Sequence, residues 1–280
     1  MTFSLNVDAK KFRNHLVSVM NGHAVAGADL VPVIKGNGYG FGRSLLADEA
    51  NRLGCNRIAI GTVWELGQAL ADFAGDILVL EPFNSVDVSA VEQWRQHLKH
   101  NADRVIVTVS NLDLAAVRSA GAKNIYLEGI TSLSRFGILH HDMQSITNFN
   151  DLNVLGLSLH LPIVQSASKV DATTEISDAF NGANLSQSMT ETWNWIVLYQ
   201  ELSTKYSLPK HLSFSHITED QVKSLKKMMQ SYNFDLSIEV RVGTKLWLGV
   251  PSALQATGTV LAVHDITHKQ AVGYQQTDTG

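Results

Sequence analysis

The stretch Leu30-Val31-Pro32-Val33-Ile34-Lys35-Gly36-Asn37-Gly38-Tyr39-Gly40-Phe41-Gly42 is an apolar run that ends in a lysine and then in alternating glycines. The β-branched run predicts a buried parallel strand, and the glycines predict a loop in which the backbone closely approaches another group. Lys35 is thereby placed at the carboxyl end of a strand, where ligands of α/β sheets and barrels bind. We expect it to be partly desolvated and able to attack a carbonyl; the alternative is an ordinary surface lysine.

Two nucleotide-binding motifs are excluded by the spacing of these glycines. The phosphate-binding loop has its glycines before Gly-Lys-Ser/Thr, whereas here Lys35 comes first. The dinucleotide pattern Gly-x-Gly-x-x-Gly fails because Phe41 occupies the position of the third glycine.

The composition indicates one large core and argues against polyanionic partners. The 280 residues are 45% apolar and only 17% charged, which is a suitable composition for a barrel in a single domain. The net charge is −4 and no block of Lys or Arg occurs, so we expect neither nucleic acid nor a membrane as partner. Cys55 is the single cysteine, and no leader or spanning segment is recognisable, so we expect a cytoplasmic protein.

Eight apolar strand candidates alternate with helical segments along residues 8–250. They are Leu30–Ile34, Ile58–Ile60, Ile77–Leu80, Val105–Val109, Ile125–Leu127, Val154–Leu159, Leu212–Phe214 and Ile238–Arg241. This alternation predicts the α/β class, and the count favours a closed (β/α)₈ barrel of the TIM type over an open sheet. Asp8 is positioned to cap the first helix.

The alternation of strand and helix patterns is interrupted twice in the second half of the chain. Residues 165–187 lose apolar periodicity, which predicts either a surface insertion or a loop that covers the substrate. After Leu254, the alternating segments Thr257–His264 and Ala271–Tyr274 predict an antiparallel pair. We therefore expect a second, all-β domain to begin at residues 251–280, together with a strand at 3–7.

The sequence motif around Lys35 resembles the pyridoxal-phosphate site of the alanine racemase family, whose pattern is Val-Val-Lys-Ala-Asn-Ala-Tyr-Gly-His-Gly. In that family the lysine holds the cofactor as a Schiff base, and the tyrosine, here Tyr39, contacts the phosphate. Gly36 and Gly38 replace alanines of the pattern, and Phe41 replaces its histidine.

Two later motifs are similar to the same family. Ser134-Arg135-Phe136-Gly137 stands at the family's Arg-x-Gly motif. The resemblance assigns Arg135 to the cofactor's phenolic oxygen and the substrate carboxylate, a role that suits a planar cationic fork. Gly156–His160 matches Gly-x-x-x-His, whose histidine lies near the cofactor ring. Apart from the resemblance, Arg135 would be a surface arginine and His160 a core histidine.

The phosphate and the pyridine nitrogen have counterparts near the end of the predicted barrel. His211–Ser215 is similar to His-x-x-Asn-Ser, which implies that Ser215 contacts the phosphate. Val240–Gly249 follows Val-Arg-x-Gly-x-x-Leu-Tyr-Gly, so the resemblance puts Arg241 on the pyridine nitrogen and the amides of Gly243 and Thr244 on the phosphate. An arginine keeps its proton, so the ring nitrogen stays unprotonated, which favours a racemase over a transaminase or decarboxylase.

Two further residues complete the site that the resemblance implies. Glu128 falls where many members have a carbamylated lysine, and we hypothesise that its carboxylate supplies the negative charge beside Arg135. Racemisation requires an acid/base on each face of the substrate α-carbon. Lys35 serves one face, and Tyr274, in a Gly-Tyr motif like that of the family's β-domain, reaches the other from the partner subunit.

The resemblance implies a pyridoxal 5'-phosphate-dependent homodimer that interconverts L-alanine and D-alanine for peptidoglycan synthesis. The family's β-domain extends about a hundred residues further, so we expect a chain that is cut short. A non-catalytic pyridoxal-phosphate-binding barrel and a racemase of serine or broader specificity are the alternatives that stay open. Metal ligation is not expected.

Overall fold

The chain forms two compact units. The structure is a computed structural model and describes residues 3–149, 151–163, 187–265, 271–272 and 277–278. The larger unit comprises His15–Gly249, and the smaller comprises Met1–Asn14 with Val250–Gly280. None of the helices in the described ranges is both long and apolar enough to cross a membrane.

The larger unit alternates strands and helices. Its strands are β2 (Asp29–Pro32), β3 (Arg57–Ile60), β4 (Asp76–Val79), β5 (Val105–Val109), β6 (Asn124–Gly129), β7 (Asn153–His160), β8 (His211–Ser215) and β9 (Ser237–Val242). Its helices are α1 (Ala9–Ala26, which begins in the smaller unit), α2 (Lys35–Gly38, a single distorted turn), α3 (Arg43–Arg52), α4 (Leu66–Asp72), α5 (Val88–Asn101), α6 (Leu114–Ser119), α7 (His140–Gln144), α8 (Gln187–Tyr206), α9 (Glu219–Ser231) and α10 (Thr244–Leu248). A 3₁₀ turn, Val63–Glu65, precedes α4.

The eight strands close into a parallel barrel. Their hydrogen-bonded order is β2-β9-β8-β7-β6-β5-β4-β3, and each neighbouring pair in that order is parallel. The two ends of this order, β2 and β3, meet at one parallel bridge between Val33 and Ala59, where the Ile34 N–H donates to the Ala59 carbonyl at 2.8 Å. We call this junction the seam. The predicted (β/α)₈ barrel is confirmed, and all its strands end at one rim.

The barrel interior has an apolar side and a polar side. Val31, Val33, Ala59, Leu78, Ile106 and Tyr126 form one buried apolar cluster. The buried polar side chains of the barrel strands come mainly from β6–β9, and they are Thr108 on β5 together with Glu128, Ser158, Ser213, Ser215, Glu239 and Arg241. Because buried polar groups require partners, this side of the barrel is where a hydrogen-bonded site is expected.

Helix starts follow the capping residues of the sequence. Asp8 accepts the Lys11 N–H at 3.1 Å, as predicted for the start of α1. Thr218 and Gln221 form a reciprocal capping box at the start of α9. These ends fix the helices that cover the barrel.

The smaller unit contains two short antiparallel pairs. β1 (Phe3–Val7) pairs with β10 (Leu254–Gly258), and β11 (Ala271–Val272) pairs with β12 (Thr277–Asp278). The predicted pairing of Thr257–His264 with Ala271–Tyr274 is wrong, because β10 ends at Gly258 and Ala271–Val272 pairs further along the chain. Alternation identifies strands without identifying their partners. A 3₁₀ turn, Pro251–Ala253, precedes β10.

Two sequence predictions fall outside the described residues. Tyr274 is one of them. The other is the segment 165–187, apart from Gln187, which begins α8.

Candidate active site at the strand ends

Lys35 stands at the rim of the barrel, directly after the seam. Its position is set by the backbone of β2, since Val33 donates to the Val242 carbonyl at 2.9 Å and Ile34 donates across the seam. The Trp247 indole N–H donates to the Val33 carbonyl at 2.7 Å. The Lys35 side chain is exposed, so the prediction of partial desolvation is wrong: this residue lies beyond the last barrel hydrogen bond.

The loop after Lys35 is held by two side chains that sequence reasoning missed. The carboxylate of Glu65 accepts the N–H of Gly36 at 3.2 Å and the N–H of Gly61 at 2.9 Å. Arg43 donates to the Gly36 carbonyl at 2.6 Å. The sequence feature that could have indicated the Glu65 contacts is the position of this carboxylate, four residues after Gly61, the glycine that follows β3.

Tyr39 brings the predicted phosphate contacts together. An added Cβ on Gly243 would lie 1.8 Å from the Tyr39 hydroxyl, so only glycine leaves room for this approach. Burial raises the pKa of Tyr39, and a hydrogen bond with the Thr244 side chain opposes that shift. The tyrosine after β2 therefore meets the turn after β9, which begins α10.

Arg241 is fully enclosed at the polar side of the barrel. Its Nε donates to Ser215 Oγ at 3.0 Å, its Nη1 to Ser158 Oγ at 2.5 Å and its Nη2 to the Leu159 carbonyl at 3.0 Å. Three of the five N–H groups of the guanidinium are used in this way. Burial lowers the pKa of Arg241, while the charges of Glu128 and Glu239 raise it.

Glu128 is a buried carboxylate that interacts electrostatically with this arginine. It is 2% exposed and accepts a long hydrogen bond, 3.5 Å, from Ser158. Burial raises the pKa of Glu128, and the charges of Arg241 and then Arg135 oppose the shift. The charge of Arg135 acts on Glu128 more weakly than that of Arg241, and no ion pair joins Glu128 to Arg135 within the described residues.

His160 links β7 to Arg135. The Arg135 Nη2 lies 3.1 Å from His160 Nδ1, and a guanidinium can only donate, so Nδ1 accepts and the proton of the neutral ring is on Nε2. Burial lowers the pKa of His160 to about 3, and the charges of Arg241, Arg135, His216 and Lys35 add to that shift. The ring of His216 packs edge-on against it at 4.8 Å.

A second charged layer supports the site from deeper in the barrel. Glu239, two residues before Arg241 on β9, lies 2.7 Å from Arg57 Nη1 and 3.2 Å from His211 Nε2. It also accepts from Ser213 at 2.6 Å. Burial alone would raise the pKa of Glu239, but His211 and Arg57 outweigh burial and hold it at about 2.

The residues that the sequence predicted for the barrel site lie at or just after the strand ends, and they are Lys35, Tyr39, Arg135, His160, Ser215, Arg241, Gly243 and Thr244. Contacts join them in three groups: Arg135 with His160, Arg241 with Ser215, and Tyr39 with Gly243 and Thr244. The pKa of the half-buried His160 ring is lowered by the positive charges of Lys35, Arg135 and Arg241. Positive charge arranged in this way favours the binding of an anion. A groove of about 840 Å³ between α7 and α8 shares none of these residues.

The donor set fits pyridoxal phosphate. A primary amine, hydroxyls at Tyr39, Ser215 and Thr244, and the first-turn amides of α10 are groups that bind an aldehyde and a phosphate. The glycine at 243, which the Tyr39 hydroxyl closely approaches, is consistent with a turn shaped for that purpose.

Fold and site together define a (β/α)₈ barrel protein with a cationic ligand site at its strand ends. The family model described as "Alanine racemase, N-terminal domain" matches residues 7–190. The chain belongs to the alanine racemase family.

Solved structures of alanine racemases share the fold. The enzyme from D-cycloserine-producing Streptomyces lavendulae is 18% identical, with a TM-score of 0.65, over 99% of this chain and 70% of that chain. The alanine racemase of Clostridium difficile 630 is 14% identical, with a TM-score of 0.68, over 99% and 69%. That of Bartonella henselae, with covalently bound pyridoxal phosphate, is 16% identical, with a TM-score of 0.64, over 99% and 72%. No curated protein matches in sequence.

Proposed function

We propose that this chain carries the catalytic barrel of a pyridoxal-phosphate-dependent racemase that interconverts L-alanine and D-alanine. One observation supports this proposal above the others: the amine of Lys35, the Arg135–His160 pair and the Arg241–Ser215 pair lie at one rim and interact electrostatically. These are the residue types that a covalently held, anionic cofactor and a carboxylate substrate require.

Five residues would hold the cofactor. Lys35 would bind its aldehyde carbon, while Tyr39, Ser215, Gly243 and Thr244 would receive its phosphate. When bound, the cofactor supplies an electron-withdrawing ring that acidifies the α-hydrogen of an attached amino acid. Ser215 already accepts from Arg241, which leaves its own hydroxyl proton for the phosphate.

Arg241 would donate one of its remaining N–H groups to the ring nitrogen. Because its guanidinium keeps its proton, it fixes that nitrogen as an acceptor. The three protein bonds of Arg241 hold its plane rigidly, so this preference is built into the barrel.

Arg135 would bind the substrate carboxylate. Its guanidinium is exposed at the rim and is oriented by His160 and by packing over the Phe136 ring at 4.8 Å. Neutral His160 adds no charge of its own, so the positive field of the site stays on the arginines. Glu128 would moderate that field from below, mainly through Arg241 and more weakly through Arg135.

Two groups would handle the α-proton from opposite faces. The amine of Lys35 takes or returns it on one face, and we propose that the phenol of Tyr274, from a second copy of the chain, does so on the other. A homodimer follows from this assignment. The product D-alanine would serve peptidoglycan synthesis.

Tyr274→Phe tests the two-base scheme. We expect racemisation in either direction to fall by at least about 100-fold, since a positioned acid/base contributes that much. One enantiomer should continue to exchange its α-hydrogen with D₂O through Lys35. Mass spectrometry of alanine recovered from D₂O, with coupled detection of D-alanine, measures both.

Tyr232→Phe is the matched control, since this exposed tyrosine at the end of α9 packs on Trp193 and Phe234 away from the rim. Its rates should equal those of the wild type. Equal loss of exchange for both enantiomers in Tyr274→Phe would contradict the two-base scheme. Cofactor binding without any formation of D-alanine by the wild type would instead indicate a non-catalytic barrel.

A further inference from the structure

The carboxylate of Glu65 bridges the segments that follow β2 and β3 at the rim. It comes from the 3₁₀ turn after β3, is 8% exposed as a residue, and reaches the strand ends on both sides of the seam. Its Oε1 accepts from Gly36, which follows Lys35, and its Oε2 accepts from Gly61, which follows β3. One side chain thus continues the seam where the direct β2–β3 bonding stops.

The backbone of Lys35 is fastened on both sides by these contacts. On one side, the Ile34 N–H donates to the Ala59 carbonyl at 2.8 Å. On the other, the Gly36 N–H donates to Glu65. Both anchors belong to the β3 segment, so the Cα–Cβ direction of Lys35 is set by β3 rather than by its own loop.

The glycine at 61 shows how closely the three groups pack. A Cβ added there would lie 2.8 Å from Glu65 Oε1 and 3.2 Å from the Lys35 Cβ. The stem of Lys35 therefore rests against a bare backbone, and the carboxylate fills the space beside it. Arg43 holds the Gly36 carbonyl and is itself held by Gln68 at 2.6 Å.

We infer that Glu65 is a positioning residue that aims Lys35 at its carbonyl partner by bridging the barrel seam. The inference rests on the proposed function for the identity of that partner, an aldehyde. Glu65 does not touch the reacting amine. It acts through the two amides, and only a carboxylate of this length offers an acceptor to both at once.

Glu65→Gln tests the inference without changing the size of the side chain. A carboxamide has one acceptor oxygen, so one of the two amides loses its partner and opens more readily. Amide hydrogen exchange by NMR should become at least about tenfold faster at Gly36 or Gly61. Labelling of Lys35 by pyridoxal 5'-phosphate and borohydride should become about tenfold slower relative to exposed Lys99, as counted by peptide mass spectrometry.

Glu49→Gln is the matched control. Glu49 is an equally buried carboxylate on α3 whose partner is Arg52, and it is not in the loop. Its variant should show wild-type exchange at both glycines and wild-type labelling. Glu65→Asp, which keeps two acceptors on a shorter stem, should fall between the wild type and Glu65→Gln in both measurements.

The outcomes separate the inference from the proposed function. Wild-type exchange or wild-type Lys35 labelling in Glu65→Gln would overturn the inference alone. Faster exchange with unchanged labelling would also overturn it, because Glu65 would then be structural only. Labelling of Lys35 no faster than that of Lys99 in the wild type would refute the proposed function, and the inference with it.

Discussion

At the scale of single residues, His160 shows how the protein sets a protonation state. Its Nδ1 is occupied by a guanidinium donor, and the surrounding charges are all positive. Each contact disfavours an imidazolium, so the ring stays neutral with its proton on Nε2. Sequence alone placed His160 at a strand end but could not predict this state, because the state depends on charges from four other segments of the chain.

The titration of His160 predicts acid sensitivity. Its folded-state pKa, about 3, lies below the ordinary value of 6.5, so neutral His160 stabilises the fold above pH 6.5 and that stability is lost as the pH falls toward 3. The free energy of unfolding should therefore decrease on acidification, with a contribution from this residue of at most about 1.4 kcal/mol per pH unit. Urea unfolding from pH 7 to pH 4 measures the slope.

The variant His160→Gln isolates this contribution, because His23 and His97 also have lowered pKa values and shift the slope in the same direction. The slope should become shallower in His160→Gln and stay unchanged in His100→Gln, an exposed histidine in the last turn of α5. Identical slopes in His160→Gln and the wild type would show that folding does not lower the pKa of His160.

At the scale of elements, the strands of the barrel were predictable and their rim contacts were not. The β-branched composition of runs such as Val105–Val109 predicts a strand. Because β–α–β connections are right-handed, the alternation of strands and helices is compatible with few topologies of the sheet. The Glu65 contact with Gly36 joins residues 29 apart and the Arg43 contact with Gly36 joins residues 7 apart, and both use backbone groups that no residue pattern reveals. Similarly, the predicted strand Thr257–His264 overlaps β10 only at Thr257 and Gly258, and the alternation did not indicate β1 as the partner of β10.

The turn after β2 carries a conformational requirement that can be tested. Gly36 has φ 64° and ψ −135°, a region that non-glycine residues essentially avoid, and an added Cβ would meet nothing within 4 Å. Gly36→Ala should therefore cost about 1–3 kcal/mol of unfolding free energy through backbone strain alone. Urea denaturation of both proteins measures the difference.

Gly67→Ala provides the comparison, since Gly67 lies in α4 without a positive φ and its nearest neighbour would be His97 at 3.4 Å. That variant should be as stable as the wild type or slightly more stable, because alanine favours a helix. Equal stability of Gly36→Ala and the wild type would mean that the turn adopts a different backbone conformation.

At the scale of the whole molecule, the barrel arranges charge in two layers. Glu239, Arg57 and His211 form a paired layer inside the barrel, and the cationic rim lies nearer the carboxyl ends of the strands. Alternate positions of β9 supply both layers through Glu239 and Arg241. The opposite charges of the buried pairs cancel one another in the lower layer. The net positive charge is therefore concentrated at the rim, where an anionic cofactor would bind.

The residues that the family resemblance assigned to the rim lie at or just after the carboxyl ends of strands, and parallel strands end together, so the structure brings them to one rim. Their roles in binding and catalysis stay predictions. The family resemblance could not predict that Lys35 is exposed. Nor could it predict that Glu128 interacts more strongly with the charge of Arg241 than with that of Arg135. Those features arise from packing across the barrel, which no single motif encodes.

The covalent state of Lys35 tests the account most directly. Wild-type protein, incubated with pyridoxal 5'-phosphate, reduced with borohydride and digested, should carry the cofactor mass on the Lys35 peptide. Lys35→Ala should lose that mass, whereas Lys227→Ala, at an exposed position on α9, should keep it. Absence of the mass from the wild-type Lys35 peptide, or the same total incorporation in Lys35→Ala, would contradict the account.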